Sequence, residues 1–283
     1  MHIDSFKKIV KNYKVVFFDA FGVLKNSSGL IPDIGKTLAY LKAHGIRFYV
    51  LTNDASRSPQ ELAESYIRQG VDDITPELII SSGMLARDFL QHKVKDGRVA
   101  YLGTEKSAVY LEALGLKTVP IATLDLQHKK MEEINALVML DDEGYDWNHD
   151  LNKTINLLRR RNVPVVVANT DMTYPVSKSE VALAIGAIAD LIEKVVGKTF
   201  IRFGKPDAQM FNFAFEHINK EDAFLKKDIL MVGDTLHTDI IGANKFGIDT
   251  VLVLSGNTIP DQANFLIKTT GIVPDFICED ITT

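Results

Sequence analysis

Four short segments, far apart along 283 residues, each end an apolar run with a residue type used in phosphoryl chemistry. They are Val15-Val16-Phe17-Phe18-Asp19, Tyr49-Val50-Leu51-Thr52-Asn53, Gly204-Lys205-Pro206, and Ile229-Leu230-Met231-Val232-Gly233-Asp234 with Asp239 after it. Asp19 is a candidate nucleophile, because a carboxylate can attack phosphorus and divide one difficult hydrolysis into two easier steps. Asp234 and Asp239 can aim two carboxylates at one hard cation. Magnesium takes oxygen ligands of this kind, together with waters and a phosphate oxygen. Without a cation, three carboxylates would repel a phosphate. Lys205 can neutralise both the nucleophile and the phosphoryl oxygens as charge develops. Thr52 and Asn53 offer a hydroxyl and an amide to those oxygens. Plainer readings exist for each one: a helix cap for Asp19 or Asp239, a solvated lysine, a strand-end turn at Thr52-Asn53. The set, rather than any member, points to a reaction.

Positioning these groups requires strands that end where they stand. The pattern predicts strands at 15–18, 46–51, 78–81, 229–232 and 250–254, alternating with helices at 33–44, 58–69, 207–218 and 238–246. That alternation predicts an α/β fold with a parallel sheet. Ligand sites in such sheets form at the carboxyl edge of the strands, where Asp19, Thr52 and Asp234 fall. Gly22 lets the chain turn closely around a ligand. Pro206, in the first turn of a helix, would set the direction of Lys205. A separate α/β rhythm covers 92–189, with strands at 98–102, 136–140 and 163–168 and helices near 105–114 and 150–161. The expected organisation is a core of 1–91 and 190–283 with 92–189 inserted, hinged at the polar stretches 91–97 and 176–180.

A net charge of −5 argues against nucleic acid or an anionic membrane as the main partner. A small anionic substrate stays compatible, since a metal and a lysine invert the local field. The single cysteine, Cys278, excludes an internal disulfide and reads as a buried small hydrophobe. The seven histidines show no paired metal spacing, and Phe211, Phe213 and Phe215 read as packing residues. The N-terminus lacks the apolar segment of a secretory signal, and no charge-free apolar run reaches the ~18 residues of a membrane helix. The expected location is cytoplasmic.

In the order Asp19, Thr52, Lys205, Asp234/Asp239, the chain resembles the haloacid dehalogenase superfamily. Leu51-Thr52-Asn53, the long insertion, Ala168-Asn169-Thr170-Asp171, Gly204-Lys205-Pro206 and Gly233-Asp234-Thr235 through Asp239 are similar to its class IIA branch, as is Val251-Leu252-Val253-Leu254-Ser255-Gly256. That branch includes sugar-phosphate and 4-nitrophenyl phosphatases. The resemblance implies a Rossmann-like core with an α/β cap of the C2 type inserted after the third core strand. It also implies Mg²⁺-dependent hydrolysis of a phosphate monoester through an aspartyl phosphate. Asp19 would then be nucleophile and metal ligand, with the Phe21 backbone carbonyl and Asp234 as further ligands and Asp239 in support. Thr52 and Lys205 would hold the phosphoryl group.

One position departs from that pattern. Phosphatases of this superfamily carry a second aspartate two residues after the nucleophile, where this chain has Phe21. Phenylalanine can neither protonate a leaving oxygen nor activate water. General acid–base help contributes about 10²–10⁴-fold, so the expectation is a weakened phosphatase that favours aryl or acyl phosphates over sugar phosphates. Asp54 is the nearest substitute acid. The same gap leaves open a non-catalytic sensor of a phosphorylated metabolite. The Asp19-Ala20-Phe21-Gly22 run also resembles metal-independent 2-haloacid dehalogenases, against which the acidic pair argues.

Substrate choice is expected in the inserted cap, which would cover the sheet edge and exclude water. The turn from Asp141 to Trp147 is acidic and aromatic, and a solvated loop competes there with substrate contact at Asp142. Asn169 and Asp171 read equally as hinge or ligand contact. The expected partner is a small phosphorylated metabolite, and a homo-oligomer is left open.

Overall fold

The structure is a computed structural model that describes residues 2–94, 97–127, 133–176, 180–220 and 222–283. The apolar runs form the strands of a six-stranded parallel sheet, built from β1 (Val15–Phe18), β4 (Arg47–Thr52), β5 (Ile79–Ser81), β13 (Ile229–Gly233), β14 (Asp249–Val253) and β15 (Phe276–Cys278). Their order is β15-β14-β13-β1-β4-β5. The hairpin β2 (Lys25–Asn26) and β3 (Gly29–Leu30) follows β1.

Runs apolar at every position suit a sheet covered on both faces. Alternation decides which face each residue takes. Val15, Phe17, Leu51, Ile80 and Met231 pack with Met210, Phe211 and Ala214 of the helix Ala208–Ile218. Val16, Phe18, Val50, Leu230 and Val232 pack on the other side with Leu38 of the helix Ile34–Ala43 and Tyr66 of the helix Pro59–Ile67. Phe211 and Phe215 both lie against Phe246, each with ring centroids 5.9 Å away, so they are packing residues. Cys278 is buried.

A second parallel sheet lies between β5 and β13. It contains β6 (Arg98–Leu102), β7 (Lys117–Pro120), β8 (Ile134–Met139), β9 (Val165–Val167) and β12 (Ile201–Arg202), in the order β12-β9-β8-β6-β7. The antiparallel hairpin β10 (Thr173–Pro175) and β11 (Val181–Leu183) projects between β9 and β12. One face of the second sheet is covered by the helices Trp147–Arg160 and Ile185–Val196. The other face joins the core through Leu85, Ala86 and Leu90 of the helix Ser82–Lys93.

Several boundaries differ from expectation. The expected division at 189/190 falls inside the helix Ile185–Val196, and that helix and β12 pack with the second sheet, so the inserted unit extends to Arg202. Amphipathic periodicity identifies such a helix but not which sheet it covers. The helix expected near 105–114 is a single turn, Val109–Glu112. Residues 91–93 of the first expected hinge are the last turn of a helix, whereas 95–96 and, in the second hinge, 177–179 lie outside the described residues. Among the described residues no helix is long and apolar enough to cross a membrane.

Candidate active site

The carboxyl ends of the two sheets face one another across a cavity of about 870 Å³, a size typical of small-molecule sites. Asp19, Phe21, Thr52 and Asp54 line it from the core, and Asp141, Asp142, Asn169 and Asp171 from the inserted unit. Parallel strands with buried apolar bodies deliver their first polar residue to the sheet edge, so distant segments converge.

Asp19 follows β1, and its N–H donates to the Val232 carbonyl of the neighbouring strand at 2.9 Å. Its Oδ1 accepts a hydrogen bond of 2.7 Å from Lys205 Nζ. Asp239 Oδ1, which has no other donor among the described residues, lies 2.7 Å from the same ammonium. Lys205 is 1% exposed. Burial alone would lower its pKa, but Asp19 and Asp239 outweigh that and raise it, so the side chain is a fixed cation.

Asp234 directly follows β13 and is fully buried. It sits between two glycines: a Cβ on Gly22 would come within 2.0 Å of its Oδ2, and one on Gly256 within 1.9 Å. Gly22 also has φ +80°, a left-handed conformation that favours glycine. It was expected to admit a ligand; it admits the Asp234 carboxylate. That carboxylate accepts from Asn257 N at 2.6 Å and from Thr235 Oγ1 at 2.9 Å. Asp239 lies within a π-helical turn, Leu236–Ile240, and its Oδ2 accepts from Thr235 N at 3.1 Å. It therefore faces the cluster and is not the cap of the following helix.

One carboxylate oxygen from each of Asp19, Asp234 and Asp239 lies within 4.8 Å of the others. Burial first, then the neighbouring carboxylates, push Asp234 well above the ordinary range. Burial also raises Asp239, with Lys205 opposing. Three carboxylates against one ammonium leave a deficit of positive charge in a buried, all-oxygen pocket. A hard divalent cation fits that deficit in charge and donor type. Backbone bonds at the turn after β1 run from Gly22 N to Lys25 O and from Lys25 N to Ala20 O, which leaves the Phe21 carbonyl outside the pattern.

Thr52 ends β4 and is 5% exposed; its Oγ1 accepts from Asp54 N at 3.1 Å. Asp54 Oδ1 accepts from Ser56 N and Oγ at 2.9 and 2.6 Å. The Asn53 side chain was expected on phosphate, but its amide is occupied by Thr170, Asp171 and the Lys205 backbone. Pro206 lies outside the following helix, which begins at Ala208 with Asp207 as its cap; hydrogen bonds, not the first turn, direct Lys205.

In the acidic turn, Asp141 to Gly144 line the cavity, while Trp147 is exposed and donates to the Asp142 carbonyl at 3.0 Å. Asp142 Oδ2 accepts from Tyr174 OH at 3.0 Å. Burial and then Asp142 push Asp141 up to about 6. Burial, opposed by Lys205 and Asn53, pushes half-buried Asp171 up to about 6. Sequence reasoning missed Lys25, Arg57, Tyr101 and Tyr174 in the lining. Only Tyr174 had a signal, its nearness in the chain to Asn169 and Asp171.

A family model of haloacid dehalogenase-like hydrolases matches residues 16–117, and one described as HAD-hydrolase-like matches 202–283. A solved structure from Cytophaga hutchinsonii, described as a possible sugar phosphatase of the HAD superfamily, is 55% identical. It superposes with a TM-score of 0.95 over 100% of this chain and 99% of its own. Chronophin of Bos taurus is 26% identical over 98% of this chain and 94% of its own length. A glycerol phosphate phosphatase from Mycobacterium tuberculosis, solved with magnesium, shares the fold with a TM-score of 0.77. It is 24% identical and is matched over 99% of this chain and 78% of its own.

Proposed function

The chain belongs to the haloacid dehalogenase superfamily, and from that membership and its site we propose that it hydrolyses small phosphate monoesters through an aspartyl phosphate on Asp19, with Mg²⁺ as cofactor. The observation that carries the reading is Lys205 Nζ at 2.7 Å from both Asp19 and Asp239, beside the buried Asp234 carboxylate, with Asp19 itself lining the cavity. Relatives described as phosphatases of sugar or glycerol phosphate support the same class.

An Asp19 carboxylate oxygen attacks phosphorus, and the bond from phosphorus to the ester oxygen breaks. The leaving oxygen departs as an anion or takes a proton. Water then attacks the phosphorus of the aspartyl phosphate, releasing inorganic phosphate and restoring Asp19. Lys205 pairs with Asp19 and with the phosphoryl oxygens through both steps. Thr52 Oγ1 accepts from Asp54 N, so its own hydrogen is available to a phosphoryl oxygen. Asp19, Asp234 and the Phe21 carbonyl would hold Mg²⁺, with Asp239 in support, and the ion would supply Lewis-acid stabilisation to those oxygens.

Phe21 stands in the cavity where the family's acid would stand and carries no proton. Asp54 lines the same cavity beside Thr52 and is the proposed substitute, its Oδ1 held by Ser56. Leaving groups that need little protonation, aryl and acyl phosphates, should turn over ahead of sugar phosphates. Phe21 also fits a second reading, a sensor that binds a phosphorylated metabolite without cleaving it. A panel of phosphate esters with and without Mg²⁺, with Asp19→Asn as control, tests both. Metal-dependent release of phosphate, lost in the control, is expected; binding of every ester with no turnover would support the sensor.

A further inference from the structure

Lys205 is held by its backbone in an unusual way. It lies beyond β12, and its N–H donates to Asn53 Oδ1 at 2.7 Å. Its carbonyl accepts from Thr170 Oγ1 at 2.6 Å and from Asn53 Nδ2 at 3.0 Å. One planar amide thus grips both polar groups of a single residue, which fixes orientation as well as distance. Asn53 Nδ2 also lies 2.9 Å from Asp171 Oδ1 and 3.1 Å from Thr170 Oγ1. Two amide hydrogens facing three acceptors leave none for a phosphate.

The packing is close. A Cβ on Gly204 would stand 2.8 Å from Asn53 Oδ1 and 2.9 Å from Thr170 Oγ1. The Asn53 carbonyl accepts from Ser82 Oγ at 2.9 Å, tying it to the helix between the two sheets. Asn53 itself is 2% exposed. Thr170 and Asp171 belong to the inserted unit and follow β9, the strand paired with β12. Their contacts with Asn53 therefore report how that unit sits on the core.

We infer that Asn53 is a positioning residue that locks Lys205 in place and makes that lock depend on Thr170 and Asp171, so the seating of the inserted unit sets where the ammonium points. The kinetic part of this inference rests on the phosphatase reading; the structural part does not. A displacement near 1 Å at a catalytic group can cost about 10²-fold in rate, so a loosened lysine should be visible in turnover.

The test combines two readouts on the full chain. Backbone hydrogen exchange of the segment spanning 200–207 reports the Lys205 N–H directly, with no need for activity. Hydrolysis of 4-nitrophenyl phosphate with Mg²⁺ reports the ammonium. Asn53→Ala should speed exchange in that segment and lower kcat/KM by about 10–100-fold. Asp171→Ala should do both to a smaller degree, and Asp171→Asn, which keeps an acceptor oxygen, should recover most of the loss. In the double variant Asn53→Ala/Asp171→Ala the two losses should not add, because both act through one bond. Unchanged exchange in Asn53→Ala, additive losses, or an Asp171→Asn variant as impaired as Asp171→Ala would each overturn the inference. A wild-type chain that hydrolyses no ester would instead sink the phosphatase reading, leaving the exchange data to decide this one.

Discussion

Replacing Lys205 by Met keeps the length and most of the volume of the side chain but deletes the one ammonium inside the acidic cluster. The side chain is 2% exposed and its Asp239 partner fully buried, so solvent screens the pair little. At an effective dielectric of about 20, two opposite charges 2.7 Å apart attract by about 6 kcal/mol before desolvation is counted. Removing one partner of a buried pair typically costs about 3–5 kcal/mol, because the other charge is stranded. We expect a loss of that size at pH 7.5 without metal. The loss should shrink near pH 5, where Asp234 and Asp239, both raised in pKa, take up protons. Added Mg²⁺ should restore part of it by supplying the missing positive charge. Urea unfolding at the two pH values, with and without Mg²⁺, measures all three effects. A Lys205→Met protein within about 1 kcal/mol of wild type in metal-free buffer at pH 7.5 would refute the reasoning, since a buried cation between two carboxylates cannot be that dispensable.

Phe21→Asp should restore the missing acid and raise sugar-phosphate turnover by about 10²–10⁴-fold, with far less gain on aryl phosphates; equal gains on both would contradict the leaving-group argument. Gly22→Ala drives a Cβ into Asp234 Oδ2, so the rise in melting temperature on adding Mg²⁺ should vanish, as calorimetry can show. Asp141 has its pKa raised to about 6 in the fold. Its stabilising contribution is therefore complete below the ordinary carboxyl value of 3.8 and is lost as pH rises through about 6. Asp141→Asn should flatten that part of the stability–pH curve, and a curve unchanged by the substitution would count against a buried, crowded Asp141.

Much of the two sheets was legible in the chain, because most core strands are short apolar runs followed by a polar residue, whereas β15 of the core and β7 and β12 of the second sheet were not expected. Val15–Phe18 before Asp19 and Ile229–Gly233 before Asp234 carry both the periodicity and the edge signal in adjacent residues. The residue types named for the site follow from the same runs, and Asp19, Lys205, Asp234 and Asp239 do meet. Local pattern could not show which sheet claims β12 and the helix Ile185–Val196, since an apolar helix face fits either one. Nor could it show that the Asn53 amide faces Lys205, that Gly22 makes room for a carboxylate, or that Arg57 and Tyr174 reach the cavity. Those outcomes depend on contacts beyond the reach of local pattern, such as Asn53 with Lys205 and Gly22 with Asp234, and such contacts exist only once the chain has folded. The residue types along the chain limit the chemistry available, and packing assigns each polar group its partner.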